Sequence, residues 1–147
     1  MKLNIKTFEQ LTTKELYELL RVRAEVFVVE QNCVYQDLDE KDMDSLHVFY
    51  EQDGRIPAYL RVFVKNPEEK LVQIGRVLTT ETARGTGLGL ELLKEGLKAA
   101  NYFEAKEVYI EAQCYATGFY EKVGFVVASE EFLEDGIPHV EMRVKIS

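Results

Sequence analysis

Residues 84–89 read Arg84-Gly85-Thr86-Gly87-Leu88-Gly89, and the segment beyond them places Gly89, Leu92, Leu93, Gly96, Leu97 and Ala100 at helical intervals. A glycine-rich loop running straight into an amphipathic helix is a device for holding an anion. Glycines let the backbone approach the ligand, the first amides of the helix lack internal partners, and the helix dipole favours negative charge. Arg84 adds a cation at the same place. Two other phosphate loops are excluded by the residues themselves. A P-loop needs Lys and then Ser or Thr after its last glycine, where this chain has Leu90 and Glu91. A dinucleotide fingerprint needs Gly-x-Gly-x-x-Gly inside a βαβ unit; here the spacing is Gly-x-Gly-x-Gly, and three strand-like segments precede it. Taken alone, the loop is equally well a turn before a core helix, so its meaning rests on what surrounds it.

Upstream, Leu3, Ile5 and Thr7 alternate with polar residues as a short first strand. Thr12 and Glu15 have the spacing of a capping box, and Leu16, Leu19, Leu20, Val26 and Phe27 carry a helix towards Val29. Leu46, Val48 and Tyr50 share one face of a strand, Asp53-Gly54 marks a turn, and residues 58–64 and 71–78 read as two more strands separated by Asn66-Pro67. Downstream come a strand through Val108, Ile110 and Ala112, a short helix over 115–122 stopped before Gly124, a strand at 125–128, and a last strand on which Val140, Met142, Val144 and Ile146 alternate with polar residues. The order β-α-β-β-β-α-β-α-β-β is that of an α/β (α+β) protein. Three consecutive strands argue against an all-parallel sheet and for a mixed, mostly antiparallel sheet flanked by helices. Gly96, on the buried face of its helix, lets that helix lie close to the sheet.

The chain has 147 residues, which is the length of one domain, taken here as 1–147; it is 46% hydrophobic and 30% charged, an ordinary globular composition. Its formal net charge of -8 repels nucleic acid and anionic membranes and favours cationic small molecules. The same charge means that an anionic cofactor has to be held by backbone amides. Cys33 and Cys114 have no metal spacing and read as free thiols of a reducing cytoplasm. The first residues lack an apolar signal core, and no apolar run approaches the roughly 18 residues of a membrane helix, so a cytoplasmic protein is expected, away from membranes. The run Asp37-Leu38-Asp39-Glu40-Lys41-Asp42-Met43-Asp44 fails the EF-hand pattern, with Lys41 at a ligand position and Asp42 at the required glycine. It reads as a solvated acidic loop, attractive to a cationic ligand, and no metal site is expected.

Arg84, Gly87 and Gly89 match the pattern Gln/Arg-x-x-Gly-x-Gly/Ala at a helix start, and one helix and one strand later come Ala116 and Phe119-Tyr120-Glu121-Lys122-Val123-Gly124-Phe125. In this pairing and order the sequence resembles the GNAT acyltransferase superfamily over nearly its whole length. Residues 23–42, RAEVFVVEQNCVYQDLDEKD, and 132–142, FLEDGIPHVEM, are similar to the ElaA-like branch. The resemblance implies an acetyl-CoA-dependent N-acetyltransferase in which a primary amine attacks the thioester directly within a ternary complex. It assigns the CoA pyrophosphate to Arg84, Gly85, Thr86, Gly87, Leu88 and Gly89. The strand end Val77-Leu78-Thr79 would splay from its neighbour and offer backbone N–H groups to the pantetheine arm, the Leu78 amide polarising the acetyl carbonyl. Many members carry Asn seven positions before the tyrosine; here Gln113 offers the same amide chemistry with a longer reach.

Tyr120 is the implied general acid, since a phenol with a reference pKa of about 10 protonates a thiolate whose conjugate acid lies near about 8.5 only slightly uphill. Its other reading is a helix aromatic packed on the sheet. For the base, Glu30, Glu111, His47 and His139 are candidates, beside a water chain without a single base. His139 is favoured because the last strand of the family borders the acceptor cleft. The acceptor is a small-molecule or peptide amine of unread identity, and a homodimer stays open. The competing readings are a non-catalytic acyl-CoA-binding sensor or regulatory module, and a domain acting through its acidic surface alone.

Overall fold

The computed structural model describes residues 1–146. Strand β1 (Lys2–Thr7) leads into helix α1 (Thr13–Arg23), whose capping box forms as its spacing predicts. The Glu15 N–H donates to the Thr12 hydroxyl at 3.1 Å, and the Thr12 N–H donates to the Glu15 carboxylate at 2.9 Å. Helix α1 continues as a π-helical segment, Ala24–Glu30. Strands β2 (Leu46–Gln52), β3 (Arg55–Asn66) and β4 (Leu71–Thr79) follow, then helix α2 (Leu88–Ala99), strand β5 (Glu107–Gln113), helix α3 (Thr117–Glu121) and strands β6 (Val126–Val127), β7 (Phe132–Glu134) and β8 (Ile137–Lys145).

The sheet order is β1-β2-β3-β4-β5-β8-β6, with β7 also on β8. Only β4 and β5 run parallel, because the α2 crossover joins them; all other pairs are antiparallel. β7 adds a strand to the expected order. It is three residues long, too short for a periodicity signal, and pairs through the two-residue turn Asp135-Gly136, both at positive φ (51° and 78°).

Helix α2 covers one face of the sheet. Leu92, Leu93 and Ala99 join a core with Leu60, Ile74, Val108, Ile110 and Met142. A Cβ on Gly96 would lie 2.8 Å from Leu60 Cδ2 and 3.2 Å from Ile74 Cδ1, so glycine sets how closely the helix approaches. Helix α1 packs on the other face, where Leu19, Val22 and Val26 meet Phe49, Ile56, Tyr59 and Leu78. Among the described residues no helix is long and apolar enough to cross a membrane.

Two irregularities shape the middle of the sheet. The β3–β4 register shifts between Tyr59↔Leu78 and Arg61↔Gly75, a bulge at which Arg76 takes φ 52°. The β4–β5 ladder spans only Leu71–Gln73 against Glu107–Tyr109, after which the strands part. The bulge is anchored by charge. Arg76 Nε donates to Asp37 Oδ1 at 2.8 Å, and Arg23, with 0% exposure, bonds Asp37 at 3.0 Å and Asp42 at 2.6 Å. Arg61 bonds Asp42 at 3.0 Å and Asp39 at 2.6 Å.

The acidic stretch after Asp37 is therefore not the solvated loop expected from its composition. Asp37, Asp39 and Asp42 face inward because α1, β3 and β4 each bring a guanidinium to them, while Glu40 and Asp44 stay exposed. Buried charges are tolerated when they neutralise and hydrogen-bond one another.

Candidate functional site

A cavity of about 730 Å³ opens where β4 and β5 part. Its walls come from the π-helical segment, the bulged half of β4, the end of β5, α3 and the β7–β8 hairpin. Pleating explains which side chains enter it. Val108, Ile110 and Ala112 of β5 belong to the α2-side core. Glu111 and Gln113, one residue out of phase, stand on the opposite face with His139 of β8, which pairs with Gln113.

At one end lies the glycine loop. Gly85 (φ 78°) and Gly87 (φ 85°) both hold left-handed backbone, and α2 starts at Leu88. The loop is tied down by Thr86, whose hydroxyl donates to the Ala83 carbonyl at 2.6 Å. A Cβ on Gly89 would stand 3.3 Å from Thr79 Cγ2 and 3.6 Å from the Phe119 ring, so bulk there would push the loop off β4. Arg84 reaches back, donating to the Thr79 carbonyl at 3.1 Å and to Glu30 at 2.6 Å. Backbone amides, one exposed guanidinium and room without side chains form a cradle of the kind a pyrophosphate requires.

Val77, Leu78 and Thr79 line the middle of the cavity, beyond the last β4–β5 pair. The Leu78 side chain turns away into the α1-side core, so this residue meets the cavity with its backbone. Gln113 donates to Gln31 at 3.3 Å, bridging the end of β5 to the segment after α1. Tyr120 stands edge-on to Phe119 and Phe125, with ring centroids 5.1 Å and 6.0 Å away. Its hydroxyl makes no hydrogen bond to a described residue. Burial, helped by Tyr115, raises its pKa above the ordinary phenol value, so it is a neutral donor across the physiological range.

The opposite end holds His139, 7% exposed and stacked on Phe132 at 6.0 Å. Its Nδ1 lies 2.7 Å from the Ile137 carbonyl. A carbonyl only accepts, so Nδ1 carries the proton and neutral His139 presents the Nε2 lone pair. Glu134 Oε2 lies 3.5 Å from that nitrogen. Glu111, held by the Tyr109 hydroxyl at 2.9 Å, completes this end.

The four base candidates thus separate. His47 is buried outside the cavity, where Nε2 donates to the Asp42 carbonyl at 2.9 Å and Nδ1 accepts from the Tyr59 hydroxyl at 2.6 Å. Glu30 lines the cavity but is engaged by Arg84. Glu111 and His139 face the cavity together. Sequence reasoning missed Glu134 and Arg76. The Asp135-Gly136 turn could have signalled the hairpin that brings Glu134 in, whereas no local pattern marks the bulge at Arg76.

An acetyltransferase (GNAT) domain model matches residues 9–146. The chain is 38% identical to the protein ElaA of Escherichia coli over 140 residues, covering 93% of this chain and 92% of ElaA. The crystal structure of Escherichia coli ElaA superposes with a TM-score of 0.90 at 36% identity, covering 97% of this chain and 99% of that one. An acyl-CoA N-acyltransferase from Pseudomonas aeruginosa superposes equally well, with a TM-score of 0.90, 42% identity and coverage of 97% and 99%.

Proposed function

Since the chain belongs to the acetyltransferase (GNAT) domain family and is an acyltransferase, we propose that it moves an acetyl group from acetyl-CoA to a primary amine by direct attack in a ternary complex. The observation that carries this reading is one cavity connecting Arg84 and Gly89 at the two ends of the glycine loop, the unpaired edge of β4, Tyr120 and His139. Acetyl-CoA supplies an activated thioester. Residues Gly85 to Gly89 bind its pyrophosphate through backbone amides, with Arg84 turning from Glu30 to the phosphate oxygens. The open-edge amides of Val77 and Thr79 hold the pantetheine arm and the acetyl oxygen, whereas the Leu78 N–H, expected in that role, faces Tyr59 across the β3–β4 ladder.

His139 Nε2 takes a proton from the incoming ammonium, which at a pKa of about 10.4 is almost wholly charged at neutral pH. The freed amine attacks the carbonyl carbon, the carbon–sulfur bond breaks, and Tyr120 donates its phenolic proton to the departing sulfur. Water channelled past Glu111 restores both groups. The free thiols Cys33 and Cys114 and the negative charge suit a cytoplasmic enzyme without nucleic-acid or membrane partners.

The reading is tested by thermal-shift titration with acetyl-CoA and by CoA-thiol release across a panel of amines. Stabilisation by acetyl-CoA together with turnover on at least one amine is expected. Binding without release on any acceptor would support a CoA-binding sensor instead, and no binding at millimolar acetyl-CoA would remove the CoA site altogether.

A further inference from the structure

We propose that Glu111 and Glu134, beside His139, form a subsite for a second cationic nitrogen, so that the acceptor is a small aliphatic diamine whose one end gives its proton to His139 and is acetylated while the other is held by the two carboxylates. This rests on the acetyl-transfer reading above and names the class of acceptor.

The first argument is a contrast within the molecule. Elsewhere the inward-facing carboxylates have cationic partners: Glu15 has Lys6, Glu18 has Arg21, and Asp37, Asp39 and Asp42 share Arg23, Arg61 and Arg76. Among the described residues, the half-buried Glu111 and the more exposed Glu134 and Asp135 form no ion pair with Lys or Arg, yet all three line the cavity. Glu111 also sits directly opposite Glu141 in the β5–β8 ladder, a like-charge placement that costs stability.

Nearby cations are directed elsewhere. Arg143 bonds Glu107 at 3.2 Å and covers the Tyr109 ring at 5.5 Å, and Lys65 lies over the other side of this neighbourhood, 4.4 Å from the same ring. Among the described residues, the excess negative charge therefore faces the cavity with His139, 3.5 Å from Glu134, as its one cationic neighbour and no Lys or Arg partner.

The second argument comes from the buried histidine. His139 is bound only through Nδ1, and its Nε2, without a hydrogen bond, faces the Glu134 carboxylate at 3.5 Å. Burial, then the charge of Glu111, pushes the Glu134 carboxyl up in spite of His139, which agrees with carboxylates crowded together beside a single histidine.

The third argument is chemical. A monoamine loses its only charge when it is deprotonated for attack, and its amide product is neutral. Such a ligand leaves the carboxylates uncompensated through the reaction. A second ammonium keeps its charge throughout and compensates them from binding to release.

The test compares 1,4-diaminobutane, 4-amino-1-butanol and butylamine as acceptors in CoA release, with calorimetric binding of each amine alongside. The diamine is expected to exceed both others by at least tenfold in kcat/KM and in affinity. In Glu134→Gln and Glu111→Gln, the diamine-to-butylamine ratio should fall towards unity while acetyl-CoA still stabilises the protein. Turnover of all three amines at equal kcat/KM, or an unchanged ratio in both variants, would overturn the subsite and leave acetyl transfer standing. Diamine binding that is lost in Glu134→Gln without any CoA release would support the subsite and overturn acetyl transfer. Neither diamine binding nor turnover would overturn both.

Discussion

Tyr120 and Leu78 show how differently two residues of one cavity work. Leu78 lines the cavity with its backbone, and its side chain is held in the α1-side core by Leu19, Val22 and Tyr59. Substitution there would disturb packing before chemistry. In the proposed mechanism Tyr120 contributes a hydroxyl on a ring fixed edge-on by Phe119 and Phe125. Burial raises the phenol above its ordinary pKa, which makes it a weaker acid but penalises a thiolate in the same site for the same reason. Proton transfer between them therefore stays accessible. Tyr120→Phe keeps the ring packing and removes only the proton, so kcat should fall by about 10²-fold, the lower end of general acid contributions, with little change in acetyl-CoA affinity. Steady-state CoA release and a binding titration check this, and unchanged turnover would take Tyr120 out of the mechanism.

The joint between α1, β3 and β4 shapes the cavity, because it anchors the bulge in the half of β4 that lies beyond its last pair with β5. Asp42 is its centre, bonded to both Arg23 and Arg61. Asp42→Ala leaves two buried guanidiniums short of a counter-charge and should cost about 3–5 kcal/mol, read as a lower midpoint in urea unfolding. A loss below about 1 kcal/mol would mean that Asp37 and Asp39 neutralise the arginines without it. This joint was not legible in the sequence. Arg23 meets partners 14 and 19 positions away, and Arg76 meets Asp37 across 39 positions. Composition alone made the acidic stretch look like solvated surface. What could be read was local: the Thr12–Glu15 capping box, Gly96 against the sheet, the turn at Asp53-Gly54, and the glycine loop before α2. The strand order was nearly complete for the same reason, each strand but β7 being long enough to alternate or bounded by a turn. Glu134 stayed hidden because a glutamate beside Asp-Gly is an ordinary surface residue until the hairpin folds it against β5.

Over the whole molecule, the inward-facing charges make stability depend on pH in two stages. Burial lowers the His47 pKa below the ordinary histidine value of 6.5, and the nearby Arg23 and Arg61 add to this against the pull of Asp42. Between the two values the unfolded chain binds a proton that the folded chain refuses, so stability declines as pH falls below about 6.5. The second stage belongs to the carboxylates. Burial pushes Asp39, Asp42, Glu15 and Glu18 up, but bonds to Arg61, Arg23, Lys6 and Arg21 override it and leave each below the ordinary carboxyl value. Their contribution is present above the unfolded values of 3.8 for Asp and 4.5 for Glu, and it is lost as pH falls through the lower folded values. Glu134 opposes this weakly: its raised pKa makes folding take up a proton, so its share of stability is kept at low pH and lost as pH rises through the folded value. Thermal unfolding from pH 8 to pH 3 should show Tm falling first below about 6.5 and then more steeply below about 4. His47→Gln, which cannot titrate, should abolish the first decline and keep the second. A single transition near pH 4 in the unaltered protein would mean that His47 accepts its proton without loss of the bonds to Tyr59 and Asp42.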